Sequence, residues 1–290
     1  MGTTRERMVA DLTLAGLSMS TRRLYLRYAA QFVKHYMRPA EALGEAEVQA
    51  FLLHCREERK LKTGTLLIVI AALKFLYGVT LKRPEVMGGM RFPRHRTGRV
   101  AVPTRAEVRA LFAAAPTPYW RMFFRVAYAT GLRRAEIASL CAADIDAASG
   151  LIHVRHGKGD KAREVMLDPT LLTELRAHWK AHRLPGPYLF PGQQKGRSNA
   201  PVWQPRPVHL SSATSALRSA RKAAGLKRPI TLHGLRHAFA THLLEDGLDL
   251  ATLRRVLGHE DLATTLRYTE VTTDRIRAIR SPLATLEPTP

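Results

Sequence analysis

Residues 231–244 read TLHGLRHAFATHLL, and this stretch is the most informative in the chain. On a helix, positions i and i+3 share a face, so His233 and Arg236 are predicted to project together near the helix N-terminus. That end of a helix offers unpaired amides and a partial positive charge, which suit a phosphate. The pair alone is a weak signal, because His35 and Arg38 have the same spacing at a predicted helix end before Pro39.

The flanking sequence adds further candidates for the same site. Downstream, Asp249 is the predicted cap of a helix that Gly258 ends, and His259 follows at the turn before a short helix that carries Tyr268. The order of these residues predicts that imidazole, guanidinium and phenol groups converge.

Upstream, Arg133 follows a glycine turn at the start of a predicted helix, and Glu136 stands three residues later, where it can orient that side of the site. Lys158 lies in a glycine-containing loop between two predicted strands, 151–155 and 163–167. This loop is predicted to be an exposed hairpin tip.

The charge of the chain indicates its class of partner. In 290 residues, 46 Lys and Arg face 24 Asp and Glu, a formal net charge of +22. Such an excess disfavours an enzyme of small metabolites and favours a polyanion, because neutralising phosphates releases counterions. The alternative is a basic surface that only keeps the protein soluble.

Other composition features exclude several classes. The two cysteines form no C-x-x-C pair, no H-E-x-x-H or Cys/His ligand spacing occurs, and we expect neither a metal nor another cofactor. No secretion or myristoylation signal is found, and the apolar run 66–72 is far shorter than a membrane span. A soluble cytoplasmic protein without a membrane partner or small-molecule substrate is the prediction.

Two domains are predicted from changes in composition and apolar periodicity along the chain. Residues 1–87 are expected to be helical, with one helix capped by Ser20 and a core formed by Leu24, Tyr28 and Phe32. The Gly-, Pro- and Arg-rich segment 88–103 is the predicted linker, and Thr104 with Glu107 forms a capping box that opens the domain 104–290. The Pro-, Gly- and Ser-rich segment 185–207 is interpreted as a loop within that domain.

The ordered series resembles the active-site signature of tyrosine recombinases and of phage or transposon integrases. Its members are Arg133, Lys158, His233, Arg236, His259 and Tyr268, within ATGLRRAEIASL, HVRHGKGDKAREVML, HGLRHAFATHLL and LGHEDLATTLRYTEV. The resemblance covers most of 104–275, whereas the first domain matches only loosely. We expect no separate arm-binding domain, because the chain is similar to the short, two-domain Xer-type and mobile-element enzymes.

The resemblance implies a fold and a reaction. The fold would be mainly α, with a SAM-like helical core-binding domain and a mixed α+β catalytic domain that carries a small hairpin or sheet. Tyr268 would be the nucleophile and form a 3′-phosphotyrosyl link to DNA, assisted by His233. Arg133 and Arg236 would bind the charge that develops on the phosphate, because guanidinium groups stay ionised and grip two oxygens. Lys158 would protonate the leaving oxygen, and His259 would hydrogen-bond the phosphate.

The resemblance also implies how the chain would meet DNA. Double-stranded DNA with specific recombination sites would be its partner, bound by a homotetramer that exchanges strands through a Holliday junction. We predict that the phosphates are contacted by basic residues of the first domain and the linker: Arg22, Arg23, Arg27, Lys62, Arg94, Arg96 and Arg99.

Simpler interpretations stay open. Tyr268 alone would be an ordinary half-buried tyrosine, Lys158 a solubilising hairpin residue, and His237 and His242 packing or capping residues. Two rival functions are a non-catalytic DNA-binding protein of the same fold and a type IB topoisomerase, which relaxes supercoils as a monomer.

Overall fold

A computed structural model describes residues 2–90, 92–93, 102–155, 162–182, 185–195 and 201–258. The chain divides into two compact units, Met1–Arg99 and Val100–Pro290, each of which has its own apolar core. We describe the units separately.

The first unit is helical throughout the part that the structure describes. Its helices are α1 (Gly2–Leu14), α2 (Met19–Tyr36), α3 (Glu45–Glu57), α4 (Thr63–Phe75), which continues as a π-helical turn (Leu76–Thr80), and α5 (Glu85–Gly88). Phe32, Phe51 and Leu73 are almost fully buried where α2, α3 and α4 meet. Apolar residues at helical spacing therefore form the predicted core.

Two details of this unit differ from the sequence prediction. Helix α2 is capped by Ser18, whose hydroxyl accepts from the Thr21 amide at 3.2 Å, and not by Ser20. Leu24 is 36% exposed, although Tyr28 and Phe32 are buried as predicted. The first error places the helix start two residues too late, since serine is an equally good cap at either position.

One apolar stretch of this unit is longer than the run 66–72 noted in the sequence. Residues Thr63–Thr80 have the length and the mean hydropathy, 1.7, of a helix that could cross a membrane, and 44% of them are buried inside the structure. The core helix of a soluble domain has the same properties, and α4 contributes Val69, Ile70 and Leu73 to the core.

The second unit is mixed. Its described elements are α6 (Arg105–Ala113), α7 (Pro118–Thr130), α8 (Arg134–Ser139), β1 (Ile145–Asp146), β2 (Leu151–Val154), β3 (Arg163–Met166), α9 (Pro169–His182), β4 (Pro191–Lys195), β5 (Pro201–Pro207), α10 (Leu210–Ala223), α11 (Leu232–Glu245) and α12 (Leu250–Leu257). The fold is thus mainly helical with small sheets, as predicted. The capping box of Thr104 and Glu107 is confirmed, with the Thr104 amide donating to the Glu107 carboxylate at 2.8 Å.

Helix α7 is the centre of this unit. Thr117 caps it, Pro118 occupies its first turn, and Phe123, Phe124 and Val126 are fully buried beneath α9 and α11. It ends at Gly131, which has φ +60° and lies against the Phe239 ring of α11 without room for a Cβ. The close approach of these helices brings the residues after Gly131 next to the start of α11.

The strands form two antiparallel sheets. One has the order β1-β2-β3, in which Val154 pairs with Arg163, so the two predicted strands are neighbours; most of the loop predicted between them lies outside the described residues. The other is the hairpin of β4 and β5, in the segment 185–207 that the sequence analysis interpreted as a loop. That prediction was wrong, because its prolines and glycines obscured a pairing that only the partner strand reveals.

Candidate active site

The C-terminal end of α12 is where the functional elements of the second unit meet. As predicted, Asp249 caps this helix, accepting from the Thr252 amide at 2.8 Å, and Gly258 ends it with φ +62°. The last carbonyls of a helix have no partner within the helix and carry its partial negative charge. Three arginines from three other elements donate to three consecutive carbonyls here, those of Val256, Leu257 and Gly258.

Arg236 is the most deeply buried of these arginines. It comes from the first turns of α11 and is 1% exposed. Its Nη1 donates to the Gly131 carbonyl at 2.6 Å and its Nη2 to the Leu257 carbonyl at 2.7 Å. Burying a charge is costly unless it is well hydrogen-bonded, so these carbonyls stabilise the guanidinium group and fix its orientation.

Arg133 reaches the same helix end from the opposite side. It is the residue before α8, and its side chain is 27% exposed. Its Nη2 donates to the Gly258 carbonyl at 3.2 Å and its Nη1 to the Glu136 carboxylate at 2.9 Å. Arg133 and Arg236, two of the predicted site residues, are therefore anchored on adjacent residues of one helix end.

Glu136 is a buried carboxylate between two arginines. Its side chain is 5% exposed and accepts from the Arg133 amide at 2.7 Å. Burial alone would raise its pKa, but hydrogen bonds from Arg163 and from the Arg133 amide, with the charges of these arginines, outweigh burial and lower the pKa of Glu136. The group is an anion held in place by its donors.

Arg163 is a site residue that the sequence analysis missed. It is the first residue of β3, its side chain is 10% exposed, and it forms a two-pronged ion pair with Glu136 at 2.9 and 2.7 Å. Its Nε donates to the Val256 carbonyl at 3.2 Å. In the sequence it is one arginine among many at a strand start, and only its place directly after the Lys158 loop could have pointed to it.

His233 lies in the first turn of α11, which Thr231 caps by accepting from the Gly234 amide at 2.9 Å. The residue is exposed to solvent, and its ring lies 4.3 Å from that of His237. Partial loss of hydration, and then the charges of Arg236, Arg133 and Arg134, lower the pKa of His233. We expect its imidazole to be neutral and able to accept a proton at neutral pH.

Other predicted residues fall into two groups. Lys158, His259, Tyr268, Arg94, Arg96 and Arg99 lie outside the described residues. Of the others, Arg23, Arg27 and Lys62 are exposed on the first unit, whereas Arg22 donates to the Leu17 carbonyl at 2.6 Å and to the Thr13 hydroxyl at 2.9 Å. His242 is a buried packing residue, as predicted, hydrogen-bonded to the Tyr128 hydroxyl at 2.8 Å.

The arrangement can bind an anion. A guanidinium group has five N–H donors, so Arg133, which is 27% exposed and donates to Glu136 and Gly258, can also bind an oxyanion. Within the described residues, no three His, Cys, Asp or Glu side chains are grouped as metal ligands. Guanidinium and imidazole groups around one helix end favour phosphate as the bound group.

Comparison with protein families and known proteins gives consistent matches. The phage integrase family matches residues 102–275, and the SAM-like N-terminal domain of phage integrases matches residues 4–85. A putative integrase/recombinase of Sinorhizobium fredii, y4qK, is 34% identical over 290 residues, covering 99% of this chain and 91% of that protein. Tyrosine recombinase XerA of Pyrococcus horikoshii is 30% identical, covering 94% of this chain and 90% of that protein.

Solved structures share the fold. The crystal structure of a lambda integrase dimer bound to a COC′ core site has a TM-score of 0.73 at 18% identity and covers 93% of this chain and 95% of that one. The crystal structure of XerA recombinase has a TM-score of 0.52 at 23% identity and covers 99% of both chains. At these identities, the likeness concerns the fold alone.

Proposed function

The chain belongs to the phage integrase family of tyrosine recombinases, and from this premise we propose that it is a site-specific recombinase that cleaves and rejoins double-stranded DNA through Tyr268. The observation that carries the proposal is the convergence of Arg133 and Arg236 on adjacent carbonyls at the end of α12. The DNA sites to which solved relatives are bound, named in their descriptions as a COC′ core site and difH, support a DNA partner.

Arg133 and Arg236 act on the phosphate. Attack on a phosphodiester increases the negative charge on its non-bridging oxygens, so groups that bind this charge accelerate the step. Their protein contacts hold both guanidinium groups before DNA arrives, so little reorganisation is needed during the reaction. Removing one such donor costs about a hundred- to a thousandfold in rate in other enzymes.

Three residues handle protons and hydrogen bonds. The phenol of Tyr268 gives its proton to His233 as its oxygen attacks phosphorus, the P–O5′ bond breaks, and Lys158 protonates the leaving 5′ oxygen. His259 donates a hydrogen bond to a non-bridging oxygen. The lowered pKa of His233 supports its role as proton acceptor.

The covalent step explains why rejoining needs no external energy. The 3′-phosphotyrosyl bond replaces one phosphodiester by another, so a 5′ hydroxyl of a partner strand can reverse the attack and release Tyr268. We propose that a homotetramer on two sites does this for one strand pair and then the other, through a Holliday junction. The protein would work in the cytoplasm, with residues 1–87 as its core-binding domain, 88–103 as a basic linker and 104–290 as its catalytic domain with a C-terminal tail.

A suicide half-site tests the proposal. After cleavage a nicked duplex loses the short fragment that carries the new 5′ hydroxyl, which traps the protein on the DNA, and a denaturing gel detects the adduct. We expect an adduct with the native chain and none with Tyr268→Phe, while both bind the duplex equally. Bound DNA without any adduct would favour the non-catalytic alternative, and relaxation of plasmids without site dependence would favour the topoisomerase.

A further inference from the structure

We propose that Arg163 is a positioning residue of the cleavage reaction, which acts by occupying the Glu136 carboxylate so that Arg133 keeps its charge for the DNA phosphate. The inference rests on the proposed function. Arg163 is not among the predicted catalytic residues. The inference follows from how the hydrogen bonds of the Glu136 carboxylate are shared between Arg163 and Arg133.

The hydrogen bonds show an unequal division. Arg163 takes both oxygens of Glu136, with Nη1 at 2.9 Å from Oε1 and Nη2 at 2.7 Å from Oε2. Arg133 has a single side-chain bond to the carboxylate, at 2.9 Å, and turns its other nitrogen to the Gly258 carbonyl. A two-pronged pair is the stronger and more directional arrangement, so Arg163 is the main counter-ion of Glu136.

The charge balance explains why this division matters. Two guanidinium groups and one carboxylate carry a net charge of +1, which attracts the phosphate. Without Arg163, the cluster would be neutral, and Glu136 would take Arg133 as its full partner in a site where burial strengthens the attraction. Arg133 would then be both neutralised and turned away from its anion-binding orientation.

Arg163 also fixes the turn that leads to His259. Its Nε holds the Val256 carbonyl, and its Cδ would be 2.7 Å from a Cβ on residue 258, so only glycine leaves room for this side chain. Arg133 holds the carbonyl of the same glycine. The two arginines and Glu136 thus link β3, which follows the Lys158 loop, to the residues before His259.

The test compares single-turnover cleavage of the suicide half-site, at saturating protein, by Arg163→Met, Glu136→Gln and the double variant. We expect Arg163→Met to cleave about a hundredfold more slowly than the native chain while its DNA affinity changes only a few-fold. Adding Glu136→Gln removes the unpaired charge, so the double variant should cleave at least about tenfold faster than Arg163→Met. Arg163→Lys keeps the positive charge but loses the two-pronged guanidinium group. Its cleavage rate should lie between that of Arg163→Met and that of the native chain.

A pH series separates this role from simple stabilisation. In Arg163→Met, the buried Glu136 has lost its main partner, so its pKa rises and mild acid neutralises it. The cleavage deficit relative to the native chain should shrink as the pH falls, and this pH dependence should be absent from the double variant. Urea denaturation identifies the pH range in which every variant is folded, and the rates are compared there, because an unpaired Glu136 would also lower stability.

Arg125→Met is the matched control. Arg125 forms the same kind of fork with Glu174, both distances being 2.6 Å, between α7 and α9 of the same unit. We expect this variant to cleave at the native rate.

Two results would overturn the inference: native-like cleavage by Arg163→Met, or a deficit that neither Glu136→Gln nor lower pH relieves in a folded protein. Carbon-13 NMR of the Glu136 carboxyl, which needs no DNA, distinguishes this failure from that of the proposed function. If the native chain forms no DNA adduct but Arg163→Met raises the pKa of Glu136, the recombinase proposal fails and the ion pair of Arg163 with Glu136 stands. If Arg163→Met leaves the pKa of Glu136 unchanged, the inference about Arg163 is refuted.

Discussion

Single residues in this protein owe their chemical state to partners that are distant in sequence. His233, Arg236, Arg133 and Glu136 could be named from local spacing, because each belongs to a short motif. Arg163 could not, since its partner Glu136 lies 27 positions away and the contact exists only in the folded chain. The burial of Arg236 was equally invisible, because the sequence does not tell which carbonyls will surround a guanidinium group.

His178 is a second residue whose state comes from its surroundings. It is buried among the rings of Tyr119, His182 and Phe190, and its Nε2 has no hydrogen-bond partner within the described structure. Burial, and then the charge of His182, lower the pKa of His178 from 6.5 to about 4. The unfolded chain therefore binds this proton at a higher pH than the folded one.

The stability of the second unit should depend on this histidine in mild acid. The free energy of unfolding is highest above pH 6.5 and falls as the pH drops toward about 4, by up to about 1.4 kcal/mol per pH unit. Urea denaturation at several pH values should show a flatter dependence for His178→Phe. An unchanged slope in His178→Phe would contradict the assignment.

Helices and strands differ in how well their sequences predicted them. The starts of α6 and α12 were correct because a cap is a local signal, in which one side chain satisfies an amide three residues away. The β4 and β5 hairpin was missed because pairing between strands is not local. The start of α2 was predicted only approximately. Ser18 and Ser20 are equally suitable caps by residue type, and the structure shows that Ser18 caps the helix.

The end of α12 can be tested with two glycines in similar conformations. Gly258 and Gly225 have φ values of +62° and +66°, but a Cβ at 258 meets Arg163, whereas a Cβ at 225 meets nothing within 4 Å. Gly225→Ala should cost only the backbone strain of about 1–2 kcal/mol and leave cleavage unchanged. Gly258→Ala should destabilise more and slow cleavage, since Arg163 must move.

Denaturant melts and the suicide half-site measure both effects. Equal stability losses and equal cleavage rates for the two variants would show that Arg163 tolerates displacement.

At the scale of the whole molecule, two separate apolar cores account for two units. Among the residues that the structure describes, the core of α1–α5 and the core of α6–α11 are separate clusters of buried side chains. The two-part organisation followed from the change in sequence texture near residue 88, but the boundaries given for the linker stay a prediction. Composition also predicted a polyanionic partner, since a net charge of +22 is a property of the whole chain.

Each unit should fold on its own. Fragments 1–99 and 100–290 contain their cores complete, so each should give a cooperative thermal transition and dispersed NMR amide signals. A fragment that stays unfolded alone but folds when mixed with the other would contradict this expectation.

Salt dependence tests which basic residues of the first unit contact phosphates. Arg23 and Arg27 are exposed, so replacing both by Gln should lower the slope of log affinity against log salt by about 2 if each contacts one phosphate. Arg22→Gln is the contrast, because Arg22 already joins α1 to α2 and should affect stability more than the salt slope. If the native chain, the double variant and Arg22→Gln all have the same salt slope, Arg23 and Arg27 do not contact phosphates.

The three carbonyls at the end of α12 have a consequence for the order of assembly. The carbonyls to which Arg133, Arg163 and Arg236 donate at this helix end all precede Tyr268 in the chain. The three arginines form the site for the scissile phosphate. Because this site does not depend on the position of Tyr268, the attacking phenol can come from the same chain or from another copy. A Tyr268→Phe chain, mixed with a full-length Arg236→Ala chain, would reveal through restored cleavage whether the tyrosine crosses between subunits.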